Sequence, residues 1–193
     1  MNDPEFTNTV LNGDVHTANQ KAAGLKTRDQ AKTFIYAFLY GAGAAKIGKV
    51  VGGSAQQGQL LINKFLSSMP ALKRLRENVQ KRVEKHGTIR GLDGRLLYIR
   101  SPHAALNTLI QGGGAIICKQ WLVHLIERLT RAGLDARLVA SVHDEYQFEV
   151  ARADIDRFCT LTKEAMKQTQ KTLEVQCDLD CDYKVGRTWA DTH

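Results

Sequence analysis

The segment RDQAKTFIYAFLYGAG, residues 28–43, predicts an amphipathic helix around which the first part of the chain is organised. Its cations and phenols recur at every fourth residue, as Arg28, Lys32, Tyr36 and Tyr40. An α-helix has about 3.6 residues per turn, so steps of four drift by only about 40° and keep these side chains on one face. Arg and Lys suit phosphate oxygens and Tyr offers a ring for stacking, so this face could grip a polyphosphate and a ring beside it. The alternative is a helix with solvated cations and half-buried tyrosines.

The composition is that of a soluble globular protein with a basic surface. The 193 residues are 43% hydrophobic and 24% charged, with a net charge of +7 and a pI near 9.3. This length allows a sizeable core in one domain or two closely joined subdomains, and the charge favours a polyanionic partner. Lys, Arg, His or Gln interrupt the apolar stretches, so we expect no membrane-spanning segment, and the N-terminus does not resemble a signal peptide. The four cysteines form no C-x-x-C pair, which predicts free thiols in a reducing cytosol.

The flanking segments predict helices with identifiable starts. Residues 1–13 are expected to form a surface lead-in, after which Asp14 can cap a short helix that carries His16 in its first turn. Residues 71–86 place apolar side chains at three- and four-residue spacing, which predicts a helix with one face in the core. Its other face is rich in Lys and Arg. Such a face is usually solvated, and contact with a DNA backbone is the alternative.

Downstream, residues 88–100 alternate around Asp93-Gly94, which predicts a hairpin. A long helix is expected over residues 103–131. Its Gly112-Gly113-Gly114 run would cost roughly 1 kcal/mol per glycine relative to alanine, so we expect another backbone or DNA to approach closely there. Two apolar strands are predicted at 136–142 and 145–150. The charged triplet at their turn is either a solvated turn or a carboxylate held rigidly at the edge of a buried sheet.

Several motifs, in this order, resemble the family A (Pol I-like) DNA polymerases, and most closely those of phage replication. The pattern R-x-x-x-K-x-x-x-Y-x-x-x-Y-G at residues 28–41 looks like motif B, the fingers helix. SPHAALNTLIQ at residues 101–111 resembles the helix that contacts template and primer, and VHDE at residues 142–145 resembles motif C. The ending, residues 186–193, matches as well.

This resemblance implies an α+β fold with a helical fingers subdomain and a partial antiparallel-sheet palm. The fingers would comprise residues 1–87, with the motif B helix at 28–41. The distal palm would comprise residues 88–193, with the long helix at 103–131 and the motif C hairpin at 136–150.

The resemblance also implies an activity and the residues that serve it. The complete enzyme would use two Mg²⁺ ions to transfer dNTPs to a primer 3′ end. The expected catalytic residues are Asp144, which is also the expected metal ligand, Lys32, Glu145 and His143. The expected nucleotide-binding residues are His16, Arg28, Lys32, Tyr36 and Tyr40. The expected DNA-binding residues are Arg95, His103, Asn107, Gln111 and His143.

One large departure from the family pattern affects the expected activity. No part of residues 1–193 resembles motif A, which supplies the other catalytic aspartate, and the thumb is not recognisable either. We therefore expect the chain to be inactive alone and to need a separate or missing polypeptide besides primer–template DNA and dNTPs. A non-catalytic nucleic-acid-binding remnant and part of a single-subunit RNA polymerase are the alternatives. The expected location is the host cell cytoplasm, with no membrane partner.

Overall fold

The computed structural model describes residues 3–192. Met1 and Asn2, at the start of the predicted lead-in, and His193, at the end of the matching C-terminal segment, lie outside the described residues. In chain order the described elements are α1 (Pro4–Asn12), α2 (Val15–Ala23), α3 (Arg28–Leu39), α4 (Ala44–Val50), α5 (Ala55–Ser68), α6 (Pro70–His86), β1 (Thr88–Arg90), β2 (Leu96–Tyr98), α7 (Ala105–Ala132), β3 (Ala136–Val142), β4 (Glu145–Val150), α8 (Ile155–Thr172) and α9 (Trp189–Thr192). Three-residue 3-10 turns precede α7 and α8.

The chain divides into two compact units, the first extending to Gln111 and the second starting at Gly112. The division therefore falls inside α7, whereas the sequence predicts a boundary after residue 87. The fingers and palm labels stay predictions. Helices dominate, and β1–β2 and β3–β4 form separate two-stranded antiparallel sheets among the described residues, which confirms the predicted α+β class.

Capping side chains set several helix starts, largely as the sequence predicts. Asp14 accepts hydrogen bonds from the N–H groups of His16 and Thr17 and so caps α2. The Thr27 hydroxyl caps α3 by accepting from the N–H of Gln30 at 3.1 Å. The predicted lead-in is instead largely the helix α1, because Asp3 caps it and the following proline suits a first helical turn.

The core of the first unit forms around aromatic rings. Phe34 and Phe38 on α3 meet Phe65 on α5 edge to face, with centroids 5.2 Å and 5.4 Å apart. A second cluster joins α6 to the β1–β2 ribbon and α7 through Val79, Val83, Ile89 and Ala105. Burying one face of α3 in this way fixes which of its side chains remain outside.

The second unit packs the β3–β4 hairpin against the apolar faces of α7 and α8. Tyr146 lies against Trp121 with ring centroids 5.3 Å apart, and Phe148 lies against Phe158 at 5.1 Å. The Trp121 indole N–H donates to the carbonyl of Thr162 at 3.1 Å, which ties α7 to α8. The hairpin is therefore anchored by large rings on β4.

Helix α7 differs from the sequence prediction in two respects. A Cβ added at Gly113 or Gly114 would meet nothing within 4 Å, so no backbone of residues 3–192 approaches these glycines closely. Approach by DNA stays a prediction. The second difference is that Pro102–Ala132 is long and apolar enough to cross a membrane by length and composition, with only 17% of its most apolar window buried. The prediction that no segment could span a membrane was wrong by this measure, because Lys119 is the one Asp, Glu, Lys or Arg between Pro102 and Glu127. A single such helix is weak evidence for a membrane, since core helices of soluble proteins share these properties.

Candidate active site

The outer face of α3 lines an open groove in the first unit. Because Phe34 and Phe38 are buried, the four-residue steps leave Lys32, Tyr36 and Tyr40 along this groove. The groove has a volume of about 440 Å³. Half of each tyrosine is accessible, at 50% for Tyr36 and 59% for Tyr40. The predicted cationic and aromatic face is thus present and accessible.

The opposite wall of the groove comes from α4 and was not predicted. Lys46 and Val50 of that helix complete the lining together with Thr33 and Ala37. Lys46 adds a second ammonium group to the groove beside Lys32. Sequence periodicity could not find it, because the contact depends on how α4 folds back beside α3.

Arg28, at the start of the same face, is engaged by a carboxylate. Its Nε lies 3.0 Å from Oδ2 of Asp14, and this guanidinium is the main reason that the pKa of the Asp14 carboxyl lies well below its usual range. The sequence predicted Asp14 only as a helix cap. A phosphate that binds Arg28 must therefore compete with Asp14.

His16 lies one residue beyond the Asp14–Val15 start of α2. Its Nδ1 is buried and has no hydrogen-bond partner among residues 3–192. A buried polar atom without a partner costs about 1–3 kcal/mol, so the position favours a ligand group or water that supplies one. This is compatible with the predicted phosphate-binding role, which stays a prediction.

The three predicted base-pair readers lie in the first unit, His103 just before α7 and Asn107 and Gln111 in its first turns. His103 lies in the 3-10 turn that runs directly into α7, so α7 starts two residues later than predicted, and contact of the three side chains with base pairs stays a prediction. Gln111 donates from Nε2 to the Tyr40 hydroxyl at 3.4 Å, which brings a predicted DNA contact and a predicted nucleotide contact together. Gly41, with a φ of 78°, allows close approach here, because a Cβ on it would lie 2.8 Å from the carbonyl oxygen of His103.

Arg95, the remaining predicted DNA contact in the first unit, lies in the turn between β1 and β2. Its guanidinium Nη2 is 2.6 Å from Oδ2 of Asp93, and this pairing lowers the pKa of the Asp93 carboxyl. A phosphate contact by Arg95 would therefore have to displace or share this carboxylate.

The second unit presents the predicted carboxylates at the β3–β4 turn. Val142 pairs with Glu145, so His143 and Asp144 form the two-residue turn between the strands. His143 has a φ of 55°, a conformation that favours glycine, and Asp144 is exposed. The Glu145 carboxylate accepts a hydrogen bond from the Gln147 amide. The turn thus projects one carboxylate outward and keeps the next one engaged.

Cys118 of α7 is an unpredicted neighbour of this turn. Partial burial, assisted by the negative charge of Asp144, raises the pKa of the Cys118 thiol. Burial also raises the pKa of the Tyr146 phenol, and Cys118 contributes to that shift. The side of the turn that faces α7 is therefore apolar and carries neutral groups at neutral pH.

The residues at the turn fit one part of a Mg²⁺ site. Carboxylate oxygens are the ligands Mg²⁺ prefers, and it commonly binds one or two of them together with phosphates and water. Asp144 can supply such an oxygen. Within residues 3–192 no group of three or more His, Cys, Asp or Glu side chains could hold a metal on its own. Lys32 belongs to the first unit and Asp144 to the second. That the two side chains face one cleft stays a prediction.

Comparison with known proteins gives consistent similarities. The sequence profile of DNA polymerase family A matches residues 5–191. The chain is 42% identical over 214 residues to the DNA-directed DNA polymerase of Enterobacteria phage T3 and 43% identical over 210 residues to that of Escherichia phage T7. Both alignments cover 98% of this chain but 30% of the relative.

A solved structure shares the fold. It is the POL domain of Pol1 from M. smegmatis in complex with DNA primer-template and dNTP, with a TM-score of 0.76 at 24% identity. The similarity covers 86% of this chain and 32% of that one. The chain therefore spans about a third of the length of each of these three proteins.

Proposed function

The chain belongs to DNA polymerase family A, and we propose that it is the fingers and distal palm part of a template-directed DNA polymerase. The observation that carries this proposal is the groove on α3, where Lys32, Tyr36 and Tyr40 lie together and accessible. Both phage relatives are DNA-directed DNA polymerases, and the solved neighbour is in complex with primer–template DNA and dNTP.

In this proposal the incoming nucleotide lies along the groove. Lys32 and Lys46 neutralise the triphosphate as point charges. Arg28 breaks its ion pair with Asp14 and binds an outer phosphate through its planar guanidinium group. His16 adds a hydrogen bond through its buried Nδ1. Tyr36 and Tyr40 offer apolar ring faces to the sugar and the base.

The β3–β4 turn serves the primer end of the reaction. Asp144 and, as a weaker second ligand, Glu145 hold Mg²⁺, and His143 lies near the primer terminus. When bound, the two ions expected in the complete enzyme supply charge stabilisation for the attacking hydroxyl and for the leaving pyrophosphate. The large rings beneath the turn hold the Asp144 backbone in place. In the first unit, the base pairs are contacted by His103, Asn107 and Gln111.

A second polypeptide segment is required in this proposal. One projecting carboxylate cannot hold two divalent ions, so the 193-residue chain does not extend a primer by itself. The second unit also exposes apolar side chains that another polypeptide could cover, with Val123 50%, Leu138 41% and Val139 67% accessible. Its partners are therefore primer–template DNA, dNTPs and a polypeptide that carries motif A and the thumb. We place its activity in the host cell cytoplasm.

Primer extension tests the proposal. The chain is assayed with labelled primer–template, dNTPs and Mg²⁺, alone and mixed with a fragment of a phage relative that carries the preceding palm and thumb. We expect no extension by either polypeptide alone and extension by the mixture. Asp144→Asn should abolish extension because the amide cannot replace a charged metal ligand.

The matched control is Asp156→Asn, which removes an exposed carboxylate from α8 in the same unit. It should leave extension unchanged. Robust extension by the chain alone would overturn the requirement for a second segment. Salt-sensitive DNA binding by the mixture without any synthesis would instead favour the non-catalytic alternative. Preference for ribonucleotides in a working mixture would favour the RNA polymerase alternative.

A further inference from the structure

A side-chain hydrogen bond holds helix α9 on the β3–β4 hairpin within the second unit. The Thr192 hydroxyl donates to Oε1 of Gln147 on β4 at 3.1 Å, and the two residues are 45 positions apart in the chain. The same hydroxyl lies 3.1 Å from the carbonyl oxygen of Trp189, so its proton is shared between two acceptors. Thr192 and Gln147 are both half-buried, which partly shields the contact from water.

Gln147 in turn contacts a carboxylate beside the proposed metal ligand. Its side-chain amide donates from Nε2 to Oε1 of Glu145. An ionised carboxylate only accepts hydrogen bonds, so the amide must turn its NH₂ group towards Glu145 and its oxygen towards the Thr192 hydroxyl. A flipped amide would set two acceptors against each other at Glu145. The contact with Thr192 therefore supports the orientation that Glu145 requires.

Alternation along β4 separates these contacts from the core of the second unit. Tyr146 and Phe148 pack against rings of α7 and α8. Successive side chains of a strand point to opposite faces, so Glu145 and Gln147 lie together on the other face of the hairpin. Helix α9 reaches that face through Thr192. The hairpin is therefore held by rings on one face and by polar contacts on the other.

One carboxylate closes the turn from which Thr192 extends. Oδ2 of Asp191 accepts from the N–H groups of Arg187 and Thr188 at 2.9 Å each, and from the Thr188 hydroxyl at 3.0 Å. These hydrogen bonds, led by that from the Thr188 N–H, lower the pKa of the Asp191 carboxyl, so it is ionised at neutral pH. Gly186 packs closely against this turn, because a Cβ on it would overlap the Cβ of Asp191. Thr192 is thus presented by a turn of defined geometry.

We propose that Gln147 and Thr192 are positioning residues of the polymerase reaction, which hold the Glu145 carboxylate beside Asp144 in the orientation that serves a divalent cation. Carboxylates that bind metals are commonly held by such an outer hydrogen bond. The assignment rests on the proposed function, in which Glu145 is the weaker ligand. Gln147 and Thr192 act through Glu145 and do not themselves contact the cation. The alternative is that the two contacts only dock α9 on the hairpin.

Conservative substitutions in the primer-extension mixture provide the first test. Gln147→Met keeps the length of the side chain but removes the amide, and loss of an outer contact to a metal ligand should raise the Mg²⁺ concentration for half-maximal extension about 10-fold. Thr192→Val removes only the hydroxyl, and loss of one neutral hydrogen bond should raise this concentration about 5-fold. Thr192→Ser keeps the hydroxyl and should restore the wild-type requirement. The matched control is Thr160→Val, which removes an exposed hydroxyl from α8 in the same unit.

A double-mutant cycle distinguishes positioning from docking. Glu145→Ala should itself raise the Mg²⁺ requirement at least as much as Gln147→Met does. In the Glu145→Ala background, Gln147→Met and Thr192→Val should raise the requirement no further, because residues that act through one side chain are not additive. A docking role predicts the same loss in both backgrounds.

NMR of the chain alone separates this proposal from the proposed function. Mn²⁺ suits the same carboxylate and water ligands as Mg²⁺ and broadens the signals of nearby nuclei. We expect the Mn²⁺ concentration that half-broadens the backbone amide signal of Glu145 to rise about 10-fold in Gln147→Met. Signals near Asp156, an exposed carboxylate on α8, should broaden equally in both proteins. If the mixture makes no DNA, the proposed function fails while this comparison still tests the positioning.

Three results would overturn the proposal. The first is a wild-type requirement for Mg²⁺ and Mn²⁺ in folded Gln147→Met and Thr192→Val. The second is an unchanged effect of Thr192→Val when Glu145 is alanine, which would indicate docking only. The third is a loss in Thr192→Ser or in Thr160→Val as large as that in Thr192→Val. Circular dichroism checks that each variant is folded, and the Thr192 pair decides if Gln147→Met is not.

Discussion

Replacing Gly58 by alanine tests how the groove is built. Gly58 is buried in α5 where that helix crosses α4. An added Cβ would overlap the carbonyl oxygen of Ala44 and would lie 2.6 Å from the backbone nitrogen of Gly48. Both neighbours are backbone atoms, which cannot rotate away as a side chain would. Alanine at this position therefore forces α4 and α5 apart.

Two opposing effects decide the size of the change. Alanine gains about 1 kcal/mol over glycine in a helix interior. Overpacking a tight contact costs about 1–3 kcal/mol, and here the overlap is with backbone, so the upper part of that range applies. We expect Gly58→Ala to lower the free energy of unfolding by about 1–2 kcal/mol. The displaced α4 carries Lys46, so the variant should also bind nucleoside triphosphate more weakly.

The assay is urea unfolding followed by circular dichroism and by tryptophan fluorescence. Both tryptophans, Trp121 and Trp189, belong to the second unit, so fluorescence reports that unit while circular dichroism also follows the helices of the first. The matched control is Gly114→Ala, because a Cβ at that position meets nothing within 4 Å. This substitution should stabilise α7 by up to about 1 kcal/mol. A Gly58→Ala variant as stable as the wild type would refute the close packing of α4 on α5.

Three other predictions concern charges. Lys32→Ala should weaken binding of a fluorescent dNTP analogue about 10- to 100-fold, since hydrogen bonds to charged groups contribute about 1.5–3 kcal/mol. An equal loss of affinity in the control Lys167→Ala would refute a specific role of Lys32 in nucleotide binding. Asp14→Asn keeps a good helix cap but frees Arg28 from its ion pair, so the dNTP analogue should bind more tightly at low salt. Weaker binding of the analogue would contradict the competition between Asp14 and phosphate for Arg28. Burial, assisted by Asp180, raises the pKa of Cys181 from 9.0 to about 11, so its contribution to stability is present below pH 9 and is lost as the pH rises towards 11. Urea unfolding at several alkaline pH values should therefore show that the free energy of unfolding falls less with rising pH in Cys181→Ser than in the wild type.

Local rules predict much of this fold from the sequence. The four-residue repeat from Arg28 to Tyr40 was sufficient to place α3, because one helix face decides both what is buried and what lines the groove. Asp14 was recognisable as a cap from residue type and position. The turn at Asp144 was predictable because two apolar β-prone stretches flank a short polar insert.

The contacts that the sequence did not predict join residues distant in the chain. Lys46 enters the groove only because glycines let α4 pack closely on α5, and Cys118 reaches the Asp144 turn only because α7 lies against the hairpin. The ion pair between Arg28 and Asp14 spans a separation of 14 residues and two helices. Periodicity reports on one element at a time, so it predicts faces and ends but not which faces meet.

The backbone at His143 bears on the use of the β3–β4 turn. A two-residue turn with positive φ at its first position favours glycine, yet this position holds histidine at a φ of 55°. The left-handed conformation costs roughly 1–2 kcal/mol for a residue with a Cβ. The hairpin can bear that cost because Tyr146 and Phe148 anchor it to buried rings of the second unit. Stability alone would favour glycine at this turn, and the proposed role of the imidazole beside Asp144 would account for the histidine, a role that stays a prediction. That argument rests on backbone geometry alone and is independent of the family match.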